Sequence, residues 1–245
     1  MFRIDRAERE VNDTYLDGSY EQTHGDDYLG ELDGLRRAAQ VRLDYIAPWV
    51  SGGRLLDVGT ATGAFLVEAA KRSFDAQGIE PTPGFARAAT ERFGVKVAAV
   101  DLGNFVFDGS PFGAITLWHV LEHLDRPVDQ LRRLAGMLDD DGIVALEVPN
   151  AGGYAAERSG SAWPSLQPDV HVNQFSPESL EVALEHAGLR TVDIRTVCIT
   201  PYLSPAARLG LHHLVFRVQA ARALGVVGSE HESGYELLRA VAVRA

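Results

Sequence analysis

Short apolar runs alternate with amphipathic stretches through the middle of this chain. Arg54–Val58, Ala76–Glu80, Val95–Val100, Ala114–Trp118 and Ile143–Val148 read as strands. Between them Gly63–Arg72, Phe85–Phe93 and Pro127–Leu138 carry helical spacing, and in the last of these Leu131, Leu134 and Leu138 share one face. Pro81-Thr82-Pro83-Gly84 closes the second strand, and Asp139-Asp140-Asp141-Gly142 is expected to turn into the fifth. Such strand–helix alternation predicts an α/β fold, a parallel sheet with helices on both faces.

The flanks extend this pattern. Residues 1–30 are polar, with Tyr15, Tyr20 and Tyr28 among glycine breakers, and read as an irregular arm. From Glu31 to Val50 the apolar positions Leu35, Ala39, Leu43 and Ile46 mark a helix, stopped by Ser51-Gly52-Gly53. Ser176-Pro177-Glu178-Ser179 opens another helix, with an N-cap and a proline at its first position, running to about His186 and closing at Gly188. Leu189–Ile199 and Tyr235–Val243 are the last strand candidates. Two segments break the alternation: Asn150–Gln174, rich in Gly, Ser and Pro, and the helical pattern of Ser204–Leu224. Long connections beside a sheet are where binding tends to sit. The expected organisation is an arm and helix over residues 1–50 capping the site, then one domain over 51–245 with insertions at 150–174 and 204–224.

Composition narrows the function. The 245 residues are 46% hydrophobic and 23% charged, enough for a full core. The 34 acidic against 23 basic residues give a net charge of -11, the wrong sign for a groove that neutralises phosphates, so no nucleic-acid partner is expected. The single Cys198 excludes an intrachain disulfide and points to a reducing compartment. The charged stretch Met1–Glu10 lacks a signal peptide's apolar core, and no run is long enough to span a bilayer. The expectation is a cytoplasmic protein without a membrane partner, a monomer or homodimer.

The chemistry centres on Asp57-Val58-Gly59-Thr60-Ala61-Thr62-Gly63, where a strand yields to a helix. Glycine there lets the backbone approach a ligand and presents N–H groups at a helix N-terminus. A dinucleotide-binding fold uses the same place, but Ala61 and Ala64 occupy its second and third glycine positions. An acid two residues before the first glycine and a glycine four after it are present instead. Glu80, ending the next strand, suits a bidentate hydrogen bond to two ribose hydroxyls in either reading.

This D-V-G-x-x-x-G turn after two leucines resembles motif I of class I S-adenosylmethionine-dependent methyltransferases, with Ala61 where the family usually has glycine. Asp101-Leu102 resembles the pair that meets adenine. Leu121-Glu122-His123, followed by Pro127, is similar to the post-fourth-strand block of the small-molecule subgroup, including ubiquinone-pathway O-methyltransferases. Leu138–Ile143, Glu147-Val148-Pro149-Asn150, Trp163-Pro164 and His171–Leu180 resemble further blocks in the same order, and the resemblance covers about Tyr28 to Val197.

The resemblance implies a Rossmann-like, seven-stranded, mainly parallel sheet with an antiparallel last strand. It implies S-adenosylmethionine as cofactor, S-adenosylhomocysteine as product, and a small-molecule acceptor methylated most simply at a hydroxyl oxygen. Asp57, Gly59, Thr60, Ala61, Gly63, Glu80, Asp101, Leu102, Trp118 and His119 are the expected cofactor contacts. If the acceptor is a hydroxyl, a base assists, and His123 and His171 are the catalytic candidates; His212 and His213 are expected on the surface. His119-x-x-Glu122-His123 also matches the inverted zinc-protease pattern, but that needs a regular helix, expected here only from Pro127. Small-RNA 2′-O-methyltransferases resemble the chain at Glu122-His123 and use a later histidine for a metal. No metal is expected here; were one bound, Glu122, His123 and His171 would hold it. The alternatives are an NAD-dependent oxidoreductase and a methyltransferase-like protein that binds cofactor without turnover.

Overall fold

The computed structural model describes residues 2–3, 32–198 and 235–245. Most of the expected arm over residues 1–30, the Ser204–Leu224 helix and His212 and His213 lie outside them. In chain order the elements are β1 (Phe2–Arg3), α1 (Leu32–Ile46), β2 (Gly53–Val58), α2 (Ala64–Ala70), β3 (Phe74–Ile79), α3 (Pro83–Phe93), β4 (Lys96–Ala98) and β5 (Phe112–Trp118). After a 3-10 turn at Leu121–His123 come α4 (Pro127–Ala135), β6 (Leu138–Pro149), α5 (Tyr154–Ser159) and a second 3-10 turn at Gly160–Ala162. The described chain then runs through β7 (Asn173–Gln174), α6 (Pro177–His186), β8 (Leu189–Val197) and β9 (Leu237–Arg244).

Seven strands form one sheet in the order β4-β3-β2-β5-β6-β9-β8. Pairing is parallel from β4 to β6, while β9 runs antiparallel to both β6 and β8. This is the Rossmann-like methyltransferase topology. Neighbouring side chains on a strand point to opposite faces, and the core follows that rule. Leu56, Ile115 and Val144 join one cluster with Leu131 and Leu134 of α4 and Leu180 and Leu184 of α6. Leu55, Ala114 and Ile143 join the other with Leu43 and Ile46 of α1 and Phe65 and Leu66 of α2. With both faces covered, the strands are mostly apolar on both sides, with Asp57, Thr116 and Glu147 as buried polar exceptions.

Helix ends follow their local chemistry. In α3, Pro83 stands at the start and Gly94, at φ 67°, donates its N–H to Thr90 O at the end. In α6, the Ser179 N–H donates to Ser176 Oγ at 3.3 Å, while the Ser176 N–H donates to Ser179 Oγ at 2.9 Å. The two bonds satisfy donors that the first turn would leave unmade.

Two expectations change. The acidic turn at Asp139–Gly142 is an excursion within β6, which begins at Leu138, and α4 ends at Ala135 rather than Leu138. Pairing with β5 jumps from Phe112↔Leu138 to Ala114↔Ile143, so residues 139–142 swing out and Asp140 and Asp141 meet solvent. A Cβ at Gly142 would come within 2.7 Å of Phe112 O, so the close approach needs glycine. The connection at 150–174 is also not bare loop. It holds α5 and a 3-10 turn, and β7 pairs antiparallel with β1 through Phe2↔Gln174 and Arg3↔Asn173. No helix among the described residues is long and apolar enough to cross a membrane.

Candidate functional site

Parallel pairing aligns the carboxyl ends of the central strands. Val58 of β2 pairs with Ile79 of β3 and Leu117 of β5, so the residues following each strand gather at one edge. Open α/β sheets bind ligands there. The glycine turn leaves β2 with Gly59 at φ 69°, Ala61 at φ 47° and Gly63 at φ 74°. Gly59 also lacks room for a side chain, since a Cβ would meet Val120 Cγ2 at 2.6 Å. Ala61 takes the same left-handed backbone with a methyl attached, a conformation that costs alanine about 1–2 kcal/mol.

Glu80 holds this turn from β3. Its Oε2 accepts the Ala61 N–H at 2.9 Å and its Oε1 accepts the Thr82 N–H at 2.9 Å. Burial raises its carboxyl pKa, with the two backbone N–H groups opposing the shift. Each oxygen has a second lone pair for ribose hydroxyls, so the residues present fit the nucleoside end of S-adenosylmethionine. Asp57, 2% exposed, accepts the Thr116 hydroxyl at 2.6 Å. Burial pushes its carboxyl up to about 6, against the Thr116 and Thr60 hydroxyls and the Arg42 charge. The Thr60 N–H is used by Ile79 O at 3.1 Å. Asp101 accepts from Asn104 N at 2.9 Å and Asn104 Nδ2 at 2.7 Å, shaping a turn beyond β4, and Leu102 is buried beside it.

Trp118 ends β5 as part of the core, with its ring 5.4 Å from Phe65 and the Arg42 guanidinium 5.0 Å over it. His119 follows at φ 60°, its N–H donating to Glu147 O at 2.9 Å. Its ring lies between carboxylates, Nε2 3.1 Å from Glu147 Oε1 and Nδ1 3.5 Å from Glu122 Oε1. Burial alone would depress its imidazolium, but the two carboxylates outweigh it and hold the pKa up to about 9. Glu147 is fully buried, accepting from Arg42 Nη2 at 2.6 Å and Arg239 Nε at 2.9 Å. Burial would raise its carboxyl, yet Arg42, His119 and Arg239 hold it well below the usual carboxylate range.

Three residues further on, the chain brings together the acceptor-side candidates. His123 and His171 meet edge to face with centroids 4.8 Å apart, although 47 residues separate His123 from its partner Val170 O. Glu122, 1% exposed, completes the group. Only the 3-10 turn Leu121–His123 carries Glu122 and His123, so the regular helix that an inverted zinc-protease motif requires is not there.

Arg42, Glu147 and Arg239 were not singled out as site residues by their sequence. The available signal was a charge inside an apolar strand: Glu147 within Ile143–Val148 and Arg239 within Leu237–Val243. Asn173 and Gln174, within the His171–Leu180 block but not among the expected site residues, pin the loops through their amides. Asn173 Nδ2 donates to Leu124 O at 2.6 Å, and Gln174 Nε2 to Leu166 O at 2.8 Å and His171 O at 3.1 Å.

Solved structures share this architecture. The plantazolicin methyltransferase BpumL in complex with SAH superposes with a TM-score of 0.64 at 16% identity, covering 96% of this chain and 93% of that one. The 1,6-didemethyltoxoflavin-N1-methyltransferase of Burkholderia thailandensis, solved with 1,6-didemethyltoxoflavin and S-adenosylhomocysteine, gives 0.62 at 15% identity over 99% and 94% of the two chains. Among curated relatives, the biotin biosynthesis bifunctional protein BioHC of Cellvibrio japonicus (strain Ueda107) is 29% identical over 162 residues, or 64% of this chain. The match spans only about a third of that longer protein, 32%. A family model described as a methyltransferase domain matches residues 32–194. With more than half of the chain inside that match, the protein belongs to the methyltransferase-domain family.

Proposed function

We propose that this chain, an S-adenosylmethionine-dependent methyltransferase, methylates a hydroxyl oxygen of a small-molecule acceptor held against Glu122, His123 and His171. The observation that carries the reading is the convergence of these side chains just beyond β5, the strand whose end borders the glycine turn. The cofactor's sulfonium supplies an activated methyl group, so the protein's own task is to align the acceptor and exclude water. Asp57, Gly59, Thr60, Ala61, Gly63 and Glu80 bind the cofactor from β2 and β3, with Asp101, Leu102, Trp118 and His119 closing around it. A hydroxyl must shed its proton as it is methylated, and His123 and His171 are the groups that meet it.

The net charge of -11 supports a small molecule over a nucleic acid, and the single cysteine suits the cytoplasm. One of the two solved structures above holds the small heterocycle 1,6-didemethyltoxoflavin, in keeping with a small-molecule acceptor. The test is S-adenosylhomocysteine release against a panel of phenols, aliphatic alcohols and amines. Turnover confined to hydroxylated acceptors, lost in His123→Gln and His171→Gln, is expected. Turnover with amines alone, or undiminished in both variants, overturns the reading.

A further inference from the structure

We infer that Arg133 of α4 is a positioning residue for the cofactor's nucleobase, clamping the backbone on either side of Asn104. Residues 99–111, between β4 and β5, hold neither helix nor strand, yet they carry Asp101 and Leu102. An irregular connection of that length inside a packed domain needs anchors from outside itself to keep one shape.

Asp101 is oriented from within the loop. The Asn104 N–H donates to its Oδ1 at 2.9 Å, and Asn104 Nδ2 donates to its Oδ2 at 2.7 Å. Asn104 is in turn held from outside. Arg133 Nη1 donates to Gly103 O at 2.6 Å, and its Nη2 donates to Phe105 O. These two carbonyls flank Asn104, so the guanidinium fixes the residue whose amide aims the carboxylate.

The helix sets the direction of that reach. Leu131 and Leu134 of α4 are buried in the core, and Arg132 sends Nη2 to His186 O at 2.7 Å. Arg133, one position on, faces the loop instead. Donors on a rigid plane suit two carbonyls at once, and the positive charge strengthens both bonds. Lysine, a flexible point charge, has no such fork.

The inference rests on the reading above in which Asp101 and Leu102 close around the cofactor. Each Asp101 oxygen keeps a second lone pair, able to accept from the amino group of adenine. Hypoxanthine carries a carbonyl at that position and would set acceptor against acceptor, so an oriented Asp101 discriminates between the two bases. A slack loop discriminates less, because only its competent fraction contributes.

A second arginine supplies the control. Arg54 opens β2 at the edge of the sheet opposite the glycine turn. It ties the far part of the same loop, through Asp108 Oδ2 at 3.2 Å and through Ser110 O.

Calorimetry with S-adenosylhomocysteine and S-inosylhomocysteine, without acceptor, tests the clamp. The parent should prefer the adenosyl compound by about tenfold or more, as for one hydrogen bond to a charged group. Arg133→Met should cut that preference to about threefold or less, with Arg133→Lys recovering only part of it. Arg54→Met should keep the parental preference, and thermal melting reports the fold of each variant. Parental preference in Arg133→Met, or an equal loss in Arg54→Met, overturns the inference. Asp101→Ala separates the clamp from the reading beneath it. Loss of preference in Asp101→Ala but not in Arg133→Met keeps the adenine contact and overturns the clamp. Loss in Arg133→Met but not in Asp101→Ala keeps the clamp and removes the Asp101 contact. A parent that does not distinguish the two compounds overturns both.

Discussion

Glu147 of β6 and Arg239 of β9 are register partners across an antiparallel pair, with only 0% and 3% of their surfaces exposed. Arg42 reaches the same carboxylate from α1, and His119 from the end of β5. One buried anion thus ties four elements together at the edge where the glycine turn lies. Removing one partner of a buried pair costs about 3–5 kcal/mol, because the other charge stays buried. Arg42 and His119 remain to compensate, so Arg239→Met should lose about 3 kcal/mol, the lower end. Urea unfolding measures it, and a loss under 1 kcal/mol contradicts the account. Glu147→Gln, leaving two guanidinium groups and an imidazole without their anion, should lose at least as much.

Asp57 gives stability a distinct pH dependence. Its folded pKa of about 6 lies above the ordinary 3.8. The folded state therefore binds the proton more tightly, and the resulting stability is present below pH 4 and lost as pH rises through 6. Two pKa units correspond to roughly 3 kcal/mol across the full window. Asp57→Asn keeps an acceptor for Thr116 and does not titrate. Relative to the parent, its stability should rise by about 2 kcal/mol between pH 4.5 and 7.5. A difference constant over that range contradicts the assignment.

Glu80 holds the glycine turn through Ala61 and Thr82, and in the proposed function it also binds the cofactor. Calorimetry should show S-adenosylmethionine binding weakened about 10–100-fold by Glu80→Ala, the range for lost charge-assisted hydrogen bonds. Glu80→Gln should also weaken binding, because one oxygen acceptor becomes a donor facing a backbone N–H. Unchanged affinity in Glu80→Gln would show that the second oxygen is not needed.

At Ala61 the backbone already has the conformation glycine prefers. A glycine in a helix or strand ordinarily costs about 0.5–1 kcal/mol relative to alanine. At φ 47° the relief of left-handed strain offsets the added freedom of the unfolded chain. Ala61→Gly should therefore melt no lower than the parent. Ala61→Val, β-branched in the same conformation, should lose about 2 kcal/mol or more by the same thermal measurement.

Much of the fold was legible because helices cover both faces of the parallel strands, making Leu55–Val58 and Ala114–Trp118 apolar runs broken only by Asp57 and Thr116, which bond each other. Caps were equally local: Ser176, Pro177 and Gly188 act within a few residues of where they stand. The acidic triplet misled because Asp139–Asp141 has a turn's composition, while its true setting depends on Phe112, a residue on another strand. The candidate site divides similarly. The turn at Asp57–Gly63 and Glu80 carry local signatures, whereas Arg42 and Arg239 meet Glu147 across 105 and 92 residues. No short-range pattern reports such a meeting. It was hinted at only by charges lying inside strands that had to be buried.

The order β6-β9-β8 has a consequence for synthesis on the ribosome. β8 is delivered well before β9, yet β9 is its sole sheet partner among the described strands. Until residues 237–244 emerge, β8 has no ladder to join, and Glu147 lacks the Arg239 countercharge that its burial requires. The first five strands of the sheet can pair as they are made. The far side waits for one late insertion, which brings in the missing strand and the missing charge together.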